Sequence, residues 1–145
     1  MTDNDRRWLN IWCWAAIAFG AVLAGASFPA TEAPARALLE WQGGRGIALD
    51  PPLRFALALL GAVTVGWGAT LLAVVGVGER LGAAAWRRMM GAVTLWFAVD
   101  SALSVATGFA LNAVSNAIIL AAYLVPVWSS GLLDGEGRAA PARAT

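Results

Sequence analysis

Four stretches of the chain are long and apolar enough to cross a lipid bilayer, at about residues 8–29, 53–77, 87–111 and 113–130. A helix rises about 1.5 Å per residue, so about twenty apolar residues span a hydrocarbon core roughly 30 Å thick. Within lipid, backbone polar groups must bond inside their own segment, which favours helices. The sequence therefore predicts an all-α fold, an integral membrane bundle of four transmembrane helices in a single domain.

Composition supports a bilayer environment and excludes several kinds of chemistry. Hydrophobic residues make up 59% of the 145 residues and charged residues 13%, whereas soluble domains are about one quarter charged. The chain has no histidine and one cysteine, Cys13, so histidine-based catalytic sets and an intrachain disulfide are impossible. We expect no metal site, no cofactor and no enzymatic activity. The net charge of +1, without a basic run, predicts no nucleic-acid partner.

The first apolar run has two interpretations. It follows Arg6-Arg7, and Ala24-Gly25-Ala26 resembles the small-residue site at which secretory signals are cleaved. However, the run is longer than a typical signal core of about 7–15 residues. It also begins with tryptophans that are typical of a membrane interface, at Trp8, Trp12 and Trp14. We favour a retained membrane span.

Small residues in the first two runs predict close helix packing. Gly20 and Ala24 are four residues apart in the first run, and the second carries Gly61, Thr64, Gly66, Gly68 and Thr70. Such patterns allow helix backbones to approach one another in membranes. Trp67 lies among these residues, and its indole N–H is expected to need an acceptor if it is buried.

The connecting segments predict an amphipathic helix and an orientation. In the segment of residues 31–51, Thr31 can cap a short helix that ends at Gly43-Gly44. This segment is expected to be either a lid over the bundle or a connector with no further role. If both termini lie on the same side of the membrane, seven arginines lie on that side and three on the opposite side. Because arginine and lysine are more frequent on the cytoplasmic side, this distribution predicts cytoplasmic termini in a bacterial-type inner (plasma) membrane. The small, polar segment 131–145 is expected to be a disordered tail.

Asp100 is the most unusual residue of the membrane-spanning stretches, because it places a carboxylic acid near the middle of the third. Acids at that depth are costly and normally face the protein interior. On a helical wheel, Ser104 shares its face and Ser101 adjoins it. Counting residues places Thr64, Trp67 and Tyr123 of the neighbouring runs at a similar depth. The sequence predicts a ligand or proton site formed by Asp100, Ser101, Ser104, Tyr123, Thr64 and Trp67.

The third and fourth runs are predicted to be joined by a tight turn at residues 113–116. Asn112 is then expected to end one helix and Asn116 to lie in the first turn of the next. Pro126 is expected to kink the far end of the fourth helix.

Two functional classes fit these features. The first is a non-enzymatic accessory or scaffold subunit that packs against another membrane protein or itself, as a homo-oligomer or within a larger membrane complex. The alternative is a small oligomeric transporter or ligand-binding bundle that uses Asp100 as a proton or ligand site. A lipid-modifying enzyme is a third, more distant interpretation. We favour the first class, because one acid and a few hydroxyl groups provide little catalytic machinery.

Overall fold

The computed structural model describes residues 1–44 and 46–134, which fold into five helices. They are α1 (Asp3–Gly25), α2 (Ala33–Trp41), α3 (Pro51–Gly76), α4 (Ala83–Ala106) and α5 (Ala110–Ser129), with short 3-10 turns at Pro29–Thr31 and Gly78–Arg80. All except α2 are long and apolar enough to cross a membrane. The predicted all-α bundle of four transmembrane helices with one short loop helix is confirmed. The predicted disorder does not begin at residue 131, because residues 131–134 form a turn in which Leu132 and Leu133 pack against the core. The rest of the predicted tail, residues 135–145, lies outside the described residues.

The starts of α1 and α3 are fixed by polar residues that precede the apolar runs. Thr2 and Asp5 form a capping box, in which the Thr2 hydroxyl accepts from the Asp5 N–H at 3.2 Å and the Asp5 carboxylate accepts from the Thr2 N–H at 3.0 Å. Asp50 caps α3 by accepting from the Leu53 N–H at 2.9 Å, and Pro51 occupies the first helical position. Both helices therefore begin before the predicted runs.

The α1–α3 pair is held by close contact between glycines. A Cβ atom on Gly61 would overlap the backbone nitrogen of Ala24 and lie 2.6 Å from the carbonyl oxygen of Gly20. A Cβ atom on Gly20 would lie 2.7 Å from the nitrogen of Val65, and one on Gly68 would lie 2.9 Å from the Ile17 side chain. The two helices can approach this closely only because these positions lack side chains, so the predicted small-residue packing is confirmed there. Gly66 and Thr70, which belong to the same prediction, are exposed and lie outside this contact.

The α4–α5 pair is a hairpin with a very short turn. Gly108 has φ +88°, the Phe109 N–H donates to the Ser104 carbonyl at 2.8 Å and the Gly108 N–H donates to the Val105 carbonyl at 3.2 Å. This is the Schellman arrangement, in which a left-handed glycine ends a helix. The turn predicted at residues 113–116 is therefore wrong, because α4 ends at Ala106 and both Asn112 and Asn116 lie within α5.

An aromatic cluster joins the two helix pairs. Its central residue is Trp12 of α1, whose ring lies 5.6 Å from that of Trp67 on α3 and 5.2 Å from that of Tyr123 on α5. Trp67 in turn stacks on Trp96 of α4 at 5.4 Å. Phe97 completes the cluster, 6.4 Å from Trp12. Aromatic rings at these spacings contribute favourable contacts beyond the area they bury.

Trp8 joins α1 to the proline in α5. Pro126 has no N–H, so the carbonyl of Ala122, four residues earlier, lacks its normal helical donor. The indole N–H of Trp8 donates to that carbonyl oxygen at 2.8 Å. A side chain from another helix thus fills the hydrogen-bonding position that Pro126 leaves open.

The α2 end of the bundle has its own small core and an ionic clamp. The buried residues there are Leu23, Ala26, Ala35, Leu49 and Leu57. Arg54 of α3 donates to the carbonyl oxygens of Ala26 at 2.8 Å and Leu49 at 2.9 Å, and forms an ion pair with Glu32. Hydrogen bonds from Arg36 and then Arg54 hold the pKa of Glu32 below its usual range. This clamp ties the start of α2 to both α1 and α3.

The predicted cap of α2 is wrong. Thr31 lies in the preceding 3-10 turn, and its hydroxyl donates to the Gly25 carbonyl at 2.6 Å. Glu32 occupies the capping position without a side-chain capping bond, because its carboxylate is engaged by the two arginines.

Candidate functional site

Asp100 faces α5 from within α4. Its Oδ2 atom accepts from the side-chain amide of Asn116 at 2.6 Å and from that of Asn112 at 3.1 Å. The residue is half-buried and lies six residues before the end of α4, about 9 Å along the axis. The predicted mid-helix position is wrong, because the early turn shortens α4. Asp100 lies nearer the end of the bundle at which α2 is found.

Each asparagine also binds a serine of α4. The Asn112 amide donates to the Ser104 hydroxyl oxygen at 2.8 Å, and the Asn116 amide donates to that of Ser101 at 3.2 Å. Asn116 is only 6% exposed and Ser104 only 9%. These side chains form the Asp100 cluster, which consists of Asp100, Ser101, Ser104, Asn112 and Asn116.

The pairing follows from the turn. Asn116 is as far after Gly108 as Asp100 is before it, and the same relation joins Asn112 to Ser104. In an antiparallel hairpin centred on Gly108, residues at equal distances from the turn lie at the same level. Residues four apart share one helix face, so both asparagines of α5 face the polar side of α4.

Gln42 connects α2 to the Asp100 cluster. It follows the last residue of α2, and its side-chain amide donates to the Asn112 Oδ1 atom at 3.1 Å. The Gln42 Oε1 atom is buried and has no hydrogen-bond partner within residues 1–44 and 46–134. The end of α2 therefore contacts one side of the cluster, and its role as a lid stays a prediction.

Three of the predicted site residues lie elsewhere. Thr64 faces α1, where its Cβ atom adjoins Gly20, and its hydroxyl donates to the carbonyl of Leu60 at 2.8 Å. Trp67 and Tyr123 belong to the aromatic cluster, and the Tyr123 hydroxyl is buried without a partner in the described part of the chain. None of these three side chains bonds to Asp100, whose partners in the described chain are Asn112 and Asn116.

The structure brings together Asp100, Ser101 and Ser104 as neighbours, although the two serines reach Asp100 through asparagine amides. Residues at a similar depth need not share a face, which explains why Thr64, Trp67 and Tyr123 were wrongly grouped with them. The sequence pattern does not indicate the two asparagines as site residues, because asparagines beside a predicted turn are typical of helix caps. Gly108 is the signal that would have found them, since a glycine after a helical pattern often marks its end.

The cluster combines one carboxylate with amide and hydroxyl groups. Within the described chain, Asp100 has no ion pair and its Oδ1 atom has no hydrogen-bond partner. Among the same residues, no three His, Cys, Asp or Glu side chains are placed to hold a metal ion. The Asp100 Oδ1 atom can therefore accept a further hydrogen bond or take up a proton.

No protein-family model, curated protein or solved structure matches this chain. The four apolar helices define the class on their own, which is that of a small multi-pass membrane protein.

Proposed function

We propose that this protein is a non-enzymatic accessory or scaffold subunit of a bacterial-type inner (plasma) membrane, with both termini in the cytoplasm, and that α3 packs against another membrane protein or a second copy of the chain. The observation that carries this proposal is a second small-residue face on α3. Support for the orientation comes from the arginine distribution described above.

The small-residue face of α3 consists of Ala62, Gly66, Ala69 and Ala73, all exposed. Their spacing of four, three and four residues places them on one side of a helix. The residues that face α1, including Gly61, Thr64 and Gly68, lie on the other side. A Cβ atom on Gly66 would meet nothing within 4 Å, so the described chain offers no contact that would require a glycine there.

Energetics favour a helical neighbour at this face. Glycine within a helix costs about 0.5–1 kcal/mol relative to alanine, and lipid tails gain nothing from a smooth helix surface. A second helix does gain, because small residues let two backbones approach closely. One exposed face of α4 differs, since it presents the larger side chains Leu95, Val99 and Leu103.

The Asp100 cluster agrees with a structural role. Hydrogen bonds from asparagine across the α4–α5 contact are of the kind that joins helices in membranes, at about 0.6 kcal/mol each on average. Asp100 would then stabilise the hairpin instead of taking part in a reaction.

Cysteine cross-linking in native membranes tests the proposal. In a Cys13→Ala background, Ala69→Cys places a thiol on the small-residue face of α3. We expect it to form a disulfide or a short cross-link to a neighbouring chain, and Gly66→Leu to reduce that yield at least about fivefold by keeping the neighbour away.

Ala92→Leu is the matched control. Ala92 is exposed on the face of α4 that already presents Leu95 and Val99, so this variant should leave the yield unchanged. The proposal fails if Ala69→Cys yields no cross-link, or if Gly66→Leu and Ala92→Leu have equal effects.

A second candidate function is a small oligomeric transporter or ligand-binding bundle that uses Asp100. It is favoured by two acceptors without partners in the described chain, the Asp100 Oδ1 atom and the buried Gln42 Oε1 atom. In proteoliposomes, Asp100→Asn should then abolish a proton-dependent flux. Ser115→Ala should preserve it, since among the described residues the Ser115 hydroxyl bonds only to the Leu111 carbonyl of its own helix. Equal flux in both variants would exclude this candidate.

A further inference from the structure

Two arginines near the start of α4 have no partner in the described part of the chain. Arg87 and Arg88 are the fifth and sixth residues of the helix, and both are exposed. Among the described residues, neither forms an ion pair or a side-chain hydrogen bond. Asp100 is the one acid within α4, and it lies twelve residues after Arg88, which is about 18 Å along the helix axis. The surroundings of the protein must therefore balance both charges.

Both arginines lie where α4 passes from the lipid headgroups into the hydrocarbon core. The helix has 24 residues, so it is about 36 Å long and extends about 3 Å beyond each side of a core roughly 30 Å thick. Arg87 lies about 6 Å and Arg88 about 7.5 Å from its first residue. Because a charge within lipid is costly, arginines at this depth extend their guanidinium groups to the headgroup layer. The acceptors in that layer belong to lipids.

Arg54 shows how the protein treats an arginine at an equivalent depth. It is the fourth residue of α3, which begins at the opposite end of the bundle. Its guanidinium group donates to two backbone carbonyl oxygens and forms an ion pair with Glu32. The protein itself thus supplies acceptors for Arg54, whereas the described chain supplies none for Arg87 and Arg88. This difference points to the membrane as the source of their acceptors.

The segment that surrounds the start of α4 has a positive net charge. Residues 78–88 include three arginines and one glutamate. The indole N–H of Trp86, which is buried, donates to the Gly78 carbonyl at 2.9 Å. This bond holds the 3-10 turn against α4, so the exposed Arg80, two residues after Gly78, stays close to the start of the helix. The resulting positive potential attracts anionic headgroups.

Arg88 stands at the beginning of an exposed apolar face of α4. Ala92, Leu95 and Val99 follow it at spacings of four, three and four residues, which places all four on one side of the helix. All three apolar residues are exposed. A lipid with its phosphate at Arg88 can therefore extend an acyl chain along this face. The continuity of charge and apolar surface favours a lipid over a free phosphate.

We propose that Arg87 and Arg88 bind phosphate groups of anionic phospholipid in the leaflet at which α1 and α4 begin, and that an acyl chain of this lipid lies along the apolar face that follows Arg88. The guanidinium group is planar and can donate to two phosphate oxygens at once, which suits a phosphodiester.

The net charge of the headgroup decides which lipid binds. Phosphatidylglycerol has a phosphodiester and no positive group, so its negative charge is available to the arginines. Phosphatidylcholine has the same phosphodiester, but its choline group balances that charge within the headgroup and is repelled by the arginines. The anionic lipid should therefore bind more tightly than the zwitterionic lipid.

Native mass spectrometry of the full chain in a mild detergent tests this proposal. Phosphatidylglycerol and phosphatidylcholine with identical acyl chains are titrated separately, and the dissociation constant of the first bound lipid is measured. One arginine near an anionic lipid surface raises affinity about fivefold. For two arginines we therefore expect phosphatidylglycerol to bind the unaltered protein about 25-fold more tightly than phosphatidylcholine.

Three variants separate the proposed site from general attraction to charge. Arg88→Gln should weaken phosphatidylglycerol binding about fivefold and leave phosphatidylcholine binding unchanged. Arg36→Gln is the matched control, because it removes the same charge from an exposed arginine of α2 while Glu32 keeps its ion pair with Arg54. It should leave the binding of both lipids unchanged. The double variant Arg87→Gln/Arg88→Gln should remove the preference for phosphatidylglycerol.

Glycerophosphoglycerol, which is the same headgroup without acyl chains, distinguishes a lipid from a free phosphate ester. At equal concentration it should not displace bound phosphatidylglycerol. The proposal is overturned if the two lipids bind the unaltered protein equally, if Arg88→Gln and Arg36→Gln have equal effects, or if glycerophosphoglycerol competes as well as the lipid. It is independent of the proposed scaffold role, because it requires no contact at the small-residue face of α3. Circular dichroism of each variant verifies that the helices are retained.

Discussion

The α1–α3 pair and the α4–α5 pair are each held together by a different kind of interaction. Between α1 and α3, Gly20 and Gly61 allow backbone atoms to meet, and contact is the main interaction. Between α4 and α5, the side chains of Asn112 and Asn116 bind Asp100 and two serines. The first interface depends on missing atoms, whereas the second depends on particular polar atoms. Added side-chain volume should therefore destabilise the α1–α3 pair most, whereas the loss of a hydrogen-bonding group should destabilise the α4–α5 pair most.

The largest expected effect is from added bulk in the α1–α3 pair. Gly61→Leu should lower the free energy of unfolding by about 3 kcal/mol, because its Cβ atom alone would overlap the Ala24 backbone nitrogen. Unfolding by a denaturing detergent, followed by tryptophan fluorescence, provides the measurement.

Gly66→Ala is the control for this prediction. Its Cβ atom has free space in the described chain, so it should be neutral or stabilise the helix by up to about 1 kcal/mol. Equal losses in the two variants would show that α1 and α3 are not held by close contact at Gly61.

A smaller effect is expected from polar atoms in the α4–α5 pair. Asn116→Ala should cost about 1–2 kcal/mol, because it leaves Asp100 and Ser101 without their shared donor. A double-mutant cycle with Asp100→Asn should give a coupling of about 0.6–1.7 kcal/mol. Additive effects of the two substitutions would contradict the direct bond between these side chains.

A loss of about 1 kcal/mol is expected for Trp8→Phe, which tests how the two pairs are joined. The change keeps an aromatic ring but removes the N–H that donates to the Ala122 carbonyl. In a Pro126→Ala background the helix supplies its own donor to that carbonyl, so Trp8→Phe should cost measurably less there. The same detergent unfolding assay compares all four proteins, and an equal cost in both backgrounds would reject the proposed link.

The smallest effect should come from the ionic clamp at the α2 end. The pKa of Glu32 is lower in the folded state than its ordinary value, so its contribution is present above about pH 4.3 and is lost as the pH falls through the folded pKa. Thermal unfolding between pH 3 and 6 should show this loss in the unaltered protein and a flatter profile in Glu32→Gln. Identical profiles would indicate that the ion pairs with Arg36 and Arg54 add nothing measurable.

The residues that make the α1–α3 contact can be predicted from the sequence, but those that make the α4–α5 contact cannot. Close packing requires small residues, and Gly20, Ala24, Gly61 and Gly68 are visible in the sequence as such. Hydrogen bonding across a hairpin depends on register, and register depends on where the turn lies. The turn lies at residues 107–109 and not at the predicted residues 113–116, which changes the residues of α5 that face Asp100. With the turn in the wrong place, the sequence predicts Tyr123 beside Asp100 instead of the two asparagines.

Depth was also an incomplete guide to the site. Thr64 and Trp67 were placed near Asp100 by counting along helices, but counting gives no rotation of one helix about its axis relative to another. Rotation was decided by contacts that the sequence does not display, such as the positions of Trp12 and Trp96 around Trp67. The bond between Gln42 and Asn112 likewise requires the path of the long loop to be known.

The three-residue turn at Gly108 has a consequence for biosynthesis. A nascent helix that carried Asp100 into lipid alone would meet a penalty, which is about 2.5–3.5 kcal/mol for an acid at the bilayer centre and smaller at the position that Asp100 occupies nearer the end of α4. Because α5 follows after so short a connection, the two segments can leave the insertion machinery together, with the carboxylate already bound to Asn112 and Asn116. The hairpin, and not the single helix, is then the unit that partitions into the membrane.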